Sequence, residues 1–198
     1  DAYLHFLKDK RVAMVVNNTS LINKRHEVDS LLSLGINITT IFAPEHGFRG
    51  DLADGAHVHS YKDSLTGISV ISLFGNSFKP SKKELENTDI VVFDIQDVGV
   101  RFYTYISTMH YIMEACAEND IPMIILDRPN PNGHYIDGPV LDSGYQSFVG
   151  MHPIPIVHGL TIGELALMIN GEHWLKDSLH CDLTIIPCLK WDHKKLYQ

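Results

Sequence analysis

Short apolar runs alternate along the chain with segments whose apolar positions recur at helical spacing. "RVAMVVN" (11–17), "INITTIFA" (36–43), "ISVISLFG" (68–75), "DIVVFDI" (89–95) and "IPMIILD" (121–127) are rich in Val and Ile. Each reads as a strand buried on both faces. "CDLTIIP" (181–187) reads as a further strand. Between these runs, residues 27–35 place Val28, Leu31 and Leu32 on one helical face and stop at Gly35. Residues 104–119 repeat Met109, Ile112, Met113 and Cys116 at helical spacing. Residues 161–170 form a helix opened by the capping box Thr161 with Glu164, and Ser81 with Glu84 makes a second box after Pro80. Strand and helix in alternation predict an α/β fold, a Rossmann-like, doubly wound, mainly parallel sheet with helices on both faces. No repeat and no Pro/Gly/Ser linker divides the chain, so residues 1–198 read as one domain.

In an open parallel sheet the strands end on one edge, and ligands bind there. Polar residues follow every one of the first five strands. Asn17 follows the first, Glu45 and His46 the second within "FAPEHGFRG", and Gly75-Asn76 the third. Asp94, Gln96, Asp97 and Arg101 follow the fourth, and Asp127, Arg128 and Asn130 the fifth. Tyr103 and Tyr105 in "RFYTY" add flat surfaces. One polar strand end is only a turn; five that converge by topology make a polar crevice. Residues 128–160, rich in Pro, Gly and Asn, read as a long ordered loop, a form usually kept for function.

Each residue also has a structural reading. Glu45 can be a solvated loop carboxylate, and His46 a hydrogen-bonded structural histidine. Asp94 and Asp127 can cap the helices that follow. Glu84 and Glu164 are explained by their capping boxes. His57 and His59 alternate as two metal ligands would, but no third ligand stands at a fitting spacing, so no metal is expected. Cys116 falls in a helical pattern and reads as core.

Composition narrows the chemistry. The chain is 44% hydrophobic and 20% charged, as globular domains are, and its formal net charge is −8. That balance argues against nucleic acid as a partner. No 18-residue apolar run is present, so no transmembrane segment is expected. A glycine-rich dinucleotide fingerprint, a Walker motif and a G-x-S-x-G elbow are all missing, so no cofactor is expected. Carboxylates, amides and aromatic rings in one crevice suit a sugar.

The stretches "FAPEHGFRGD", "DIQDVGVRFYTYISTM", "LDRPNPNG" and "GPVLDSGYQSFVGMHPIPIVHGLTIGELA" resemble the exo-β-N-acetylmuramidases, a glycoside hydrolase family formerly known only as a domain of unknown function. The similarity runs from about Val12 to the end of the chain. It implies a Rossmann-like catalytic domain that is the N-terminal part of a longer two-domain protein. It also implies release of a terminal N-acetylmuramic acid from the non-reducing end of peptidoglycan fragments, in the cell envelope, periplasmic or secreted. Its partners would be muramoyl saccharides and a C-terminal domain of the same chain. Glycoside hydrolysis needs an acid to protonate the leaving oxygen. Glu45 is the expected acid, with His46 orienting it. The second group is Asp94, Asp97, Asp127 or the substrate's own acetamido oxygen. Asn17, Arg49, Gln96, Asp97, Arg101, Tyr103, Tyr105, Asp127, Arg128 and Asn130 are the expected substrate contacts, with Arg101 on the lactyl carboxylate. A sugar-binding module without catalysis and a metal-dependent hydrolase are the rival readings.

Overall fold

The computed structural model describes residues 2–50, 60–75 and 77–196. His57, His59 and Asn76 lie outside the described residues. The strands are β1 (Val12–Val16), β2 (Leu21–Ile22), β3 (Arg25–His26), β4 (Ile38–Ala43), β5 (Tyr61–Lys62), β6 (Ser69–Ser72), β7 (Ile90–Asp94), β8 (Met123–Leu126) and β9 (Leu183–Ile186). The α-helices are α1 (Leu4–Leu7), α2 (Glu27–Ser33), α3 (Tyr105–Glu118) and α4 (Ile162–Gly171). Seven strands form one sheet in the order β5-β6-β4-β1-β7-β8-β9. From β6 to β9 every pair is parallel, and only the edge strand β5 runs antiparallel.

The continuous apolar runs are explained by two covered faces. Ala13, Val15, Val91, Phe93, Met123 and Ile125 pack with Ile106, Met109, Ile112 and Cys116 of α3 and Leu165 and Ile169 of α4. The alternate residues Val12, Met14, Val16, Ile90, Val92 and Ile124 pack with Leu7 of α1 and Val28 and Leu31 of α2. Successive strand residues point to opposite faces, so a strand sandwiched between helices must be apolar at both. Thr161 and Glu164 form the expected capping box at α4.

Two local readings differ. The bonds of the Ser81–Glu84 box form, but i→i+3 turns, not a helix, fill 82–87. The next strand begins at Ile90. The β2–β3 hairpin turns through Asn23 (φ 49°) and Lys24 (φ 68°), both left-handed as a two-residue hairpin loop requires. Strands of two residues show no alternation, so the sequence pattern does not reveal them.

Candidate active site

The strand order reverses at β1. The chain builds β4 and β6 on one side of it, then crosses to β7 and β8 on the other. The crevice expected at such a switch point lies between the turn after β4 and the segment entering α3. There Glu45, His46, Phe102, Tyr103, Thr104 and Tyr105 line a cleft of about 370 Å³.

The first wall is the "PEHGFR" turn. Pro44 and Phe48 are buried, so the turn is anchored on both sides of Glu45 and His46. His46 takes a left-handed backbone (φ 71°), a costly conformation for a non-glycine residue and one that gathers at functional sites. Arg49 is held by carboxylates at 3.1–3.2 Å from Asp29 and 3.1 Å from Asp63, with its guanidinium 4.5 Å from the Phe48 ring centroid. Arg49 therefore braces the turn from outside the cleft, while Glu45 and His46, both half-buried, face into it.

The second wall is aromatic. Phe102 and Tyr103 are 54% and 45% exposed, high for such rings, and Tyr105 lies edge-on to Tyr103 at 6.4 Å. Thr104 donates its hydroxyl to Glu45 Oε2 at 3.2 Å and joins the two walls. Burial raises the Tyr105 phenol above its usual pKa; Asn17 opposes this, and the charges of Glu45 and Asp97 add to it. Tyr105 thus stays a proton donor at the cleft. The sequence reading did not include Phe102 and Thr104, although both sit inside "RFYTY".

Beneath the cleft, Asn17 is fully buried at the end of β1. Its carbonyl is 2.9 Å from His26 Nε2, and its Oδ1 accepts from the Thr19 amide and hydroxyl at 2.9 and 2.6 Å. Thr19 Oγ1 accepts from the Gln96 amide at 3.0 Å, which stitches the ends of β1 and β7. Gln96 Nε2 donates to the carbonyls of Asp97 and Pro129 at 2.6 and 2.7 Å. Asp97 is buried behind Tyr105, accepts from the Gly99 amide at 2.8 Å, and burial pushes its pKa up to about 6. His158 Nε2 lies 3.9 Å from Asp97, and burial lowers that imidazole to about 4.

The remaining expected residues are engaged elsewhere along the same edge. Asp94, 3% exposed, makes a two-pronged ion pair with Arg128, Nε and Nη2 each at 2.6 Å. Burial, and then the Asp94 charge, drive the pKa of the adjacent Glu27 well up; the Tyr3 hydroxyl donates to Glu27. Asp127 accepts from the Gly163 amide in the first turn of α4 at 2.8 Å and so supports that helix from β8, while Thr161 is its N-cap. Arg101 donates from Nη1 to the carbonyls of Pro139 (2.8 Å) and Ile154, which clamps the long loop. Asn130 is buried, donates to the Leu160 carbonyl and accepts from the Asn132 amide, both at 2.8 Å. A Cβ on Gly99 (φ +75°) would stand 2.1 Å from Asn130 Oδ1, so only glycine permits this approach. Among the expected contacts, Glu45, His46, Tyr103 and Tyr105 meet in the cleft, with Asn17 and Asp97 behind Tyr105. Asp94, Arg49, Gln96, Arg101, Asp127, Arg128 and Asn130 hold the scaffold. Among the described residues, no group of three or more His, Cys, Asp or Glu side chains is placed to hold a metal ion. No helix of the described residues is long and apolar enough to cross a membrane.

Similar proteins share this architecture. The peptidoglycan β-N-acetylmuramidase NamZ of Bacillus subtilis is 50% identical over 198 residues, covering 97% of this chain and 46% of its own length. Two crystal structures of DUF1343 family proteins from Bacteroides fragilis align with TM-scores of 0.89. One is 51% identical over 99% of this chain and 52% of that one, and the other 44% identical over 98% and 49%. The chain thus spans about half the length of these relatives. The family model for the N-terminal region of the exo-β-N-acetylmuramidase NamZ matches residues 12–198, and the chain belongs to that family.

Proposed function

We propose that this chain carries the proton donor of a glycoside hydrolase that removes terminal N-acetylmuramic acid from the non-reducing end of peptidoglycan fragments. The observation that carries the reading is Glu45, presented half-buried beside His46 and facing exposed aromatic rings at the switch point of the sheet. A pyranose stacks its apolar face on Phe102 or Tyr103. Glu45 protonates the leaving glycosidic oxygen. Its carboxyl is oriented by the Thr104 hydroxyl. Tyr105 donates a hydrogen bond to the sugar, and Asp97 acts through Tyr105 because it does not line the cleft. His46 offers an N–H to the acidic substituent of the muramic unit. In this reading the protein acts in the cell envelope, where peptidoglycan lies. The part of the relatives beyond the matched region supplies the opposite wall of the cleft.

Glu45→Gln tests the assignment on a chromogenic β-N-acetylmuramide. An amide cannot donate the catalytic proton, and general acid groups contribute about 10²- to 10⁴-fold. The expected result is a kcat loss of at least roughly a hundredfold, with the melting temperature unchanged. Turnover close to wild type would leave the cleft as a sugar-binding groove only.

A further inference from the structure

After β9 the chain packs Trp191 and His193 against the long loop and the first turn of α4, on groups that do not line the cleft. Trp191 lies on Gly133, where an added Cβ would stand 2.7 Å from its ring, so only glycine leaves room for the indole. The Gly133 amide donates to the carbonyl of the buried scaffold residue Asn130 at 3.0 Å. The His193 ring meets Trp191 edge-on at 4.6 Å.

His193 holds this segment with both ring nitrogens. Nδ1 is 2.9 Å from the Gly133 carbonyl oxygen, and Nε2 is 2.9 Å from Glu164 Oε1. A carbonyl and a carboxylate only accept hydrogen bonds. A neutral imidazole carries one N–H, so neither of its tautomers makes both bonds; the imidazolium does. The bond to Glu164 first, and then the bond to the Gly133 backbone, raise the His193 pKa above the ordinary histidine value, while partial burial opposes them. Glu164 Oε2 accepts from the Thr161 amide at 2.8 Å and closes the capping box of α4. One carboxylate thus caps the helix and holds the imidazolium.

The other titratable groups near His193 have their own partners or charge state. Asp127 accepts from the Gly163 amide beside Glu164. His134, Tyr135 and His158 line with His193 a depression of about 420 Å³. Tyr135 donates its hydroxyl to Asn132 at 3.2 Å, and burial lowers His158 to about 4, so it stays neutral. On the same segment, Asp192 accepts from the Lys194 amide at 2.9 Å, and the Lys195 ammonium donates to the Lys190 carbonyl. Among the described residues, Glu164 is the carboxylate at ion-pair distance from His193.

We propose that His193 is a protonation-dependent latch, which as an imidazolium pins the Trp191–His193 segment to the long loop and to α4, and which on losing its proton gives up one of the two bonds and loosens the segment. A group whose pKa is raised by folding stabilises the fold fully below its unfolded value, here about 6.5. That contribution is lost as pH rises through the higher folded value. The latch is therefore closed in mild acid and opens in base. It goes beyond the catalytic reading and does not rest on it.

The chain contains two tryptophans, so Trp174→Phe leaves Trp191 as the sole indole reporter. Its emission is followed from about pH 5 to pH 9. The expected result is emission quenched at low pH by the imidazolium beside the ring. It rises and shifts to the red with a midpoint above about 6.5. Glu164→Gln, which keeps a capping-box side chain, moves the midpoint down, and His193→Asn abolishes the transition. The carbon-bound ring protons of His193 and Trp191 are titrated by NMR in the unsubstituted chain, so the test does not depend on Trp174→Phe folding. Both rings should report the same raised midpoint. A midpoint at or below about 6.5, an equal midpoint in Glu164→Gln, or a Trp191 transition that survives His193→Asn would overturn the proposal. A raised His193 midpoint with no response from Trp191 would also overturn it, because the ion pair would then hold no movable segment.

Discussion

Two stretches of the same sheet edge are built from the same kinds of residue and behave in opposite ways. At the switch point, Glu45, His46 and the Phe102–Tyr105 segment line an open cleft. One strand further, Asp94 and Arg128 close on each other at 2.6 Å, with Glu27 and Tyr3 behind them. Both places have a carboxylate at a strand end. At Asp94 a guanidinium meets the carboxylate in two-pronged geometry and leaves it little capacity for a ligand. At Glu45 the uncharged Thr104 hydroxyl donates to Oε2, and the carboxylate still lines the cleft. A polar strand end becomes a site only where the fold supplies no internal partner strong enough to close it.

The contrast breaks most visibly at the closed end. Asp94→Asn leaves the Arg128 guanidinium facing a neutral amide in a largely buried setting. Breaking one side of a buried pair costs about 3–5 kcal/mol, which lowers the melting temperature of a domain this size by roughly 6–20 °C. If Asp94→Asn keeps its melting temperature and loses only turnover, the division into scaffold and site is wrong.

Acid should act next, through two buried histidines and a buried carboxyl. His152 and His158 have folded pKa values depressed to about 3 and about 4, below the unfolded value. Their stabilisation is complete above about pH 6.5 and is lost as pH falls toward those folded values. Asp97, raised to about 6, works the other way, because folding binds its proton more tightly. The two histidines outweigh the one carboxyl, so these three groups remove roughly 2 kcal/mol between about pH 6.5 and 5. Urea unfolding at the two pH values measures this, and His158→Gln should remove most of the difference. An equal pH dependence in that variant would show that the His158 side chain is not held neutral.

The smallest effect belongs to Arg101. Arg101→Lys keeps the charge but loses the rigid planar guanidinium whose Nη1 reaches two loop carbonyls. Turnover of β-N-acetylmuramides and of β-N-acetylglucosaminides should fall by the same modest factor, with a melting temperature a few degrees lower. A loss confined to muramides would put Arg101 on the lactyl carboxylate and move the site toward the long loop.

Much of this was legible in the sequence, for physical reasons. Apolar residues at every position of 12–16 and 90–93 can be satisfied only between two layers of helix, and that forces the parallel sheet and its single ligand edge. The same logic brought Glu45 and Tyr105 to one place from 60 residues apart. The internal partners were not legible. Asp94 and Arg128 are 34 residues apart, and Arg49 finds Asp29 of α2 and Asp63 only once a helix and two loops are in place. An arginine read from sequence as a ligand contact has the same pattern as one that braces a turn. Phe102 stood beside Tyr103 in the same motif, but exposure is a property of the fold.

A crystal structure of the Glu45→Gln variant with a muramoyl disaccharide bound tests the central claim most directly. The account predicts the glycosidic oxygen within about 2.6–3.2 Å of the side chain at position 45, with the terminal sugar ring against Phe102 or Tyr103. A terminal muramic sugar seated over the Asp94–Arg128 pair, with nothing in reach of position 45, would contradict it.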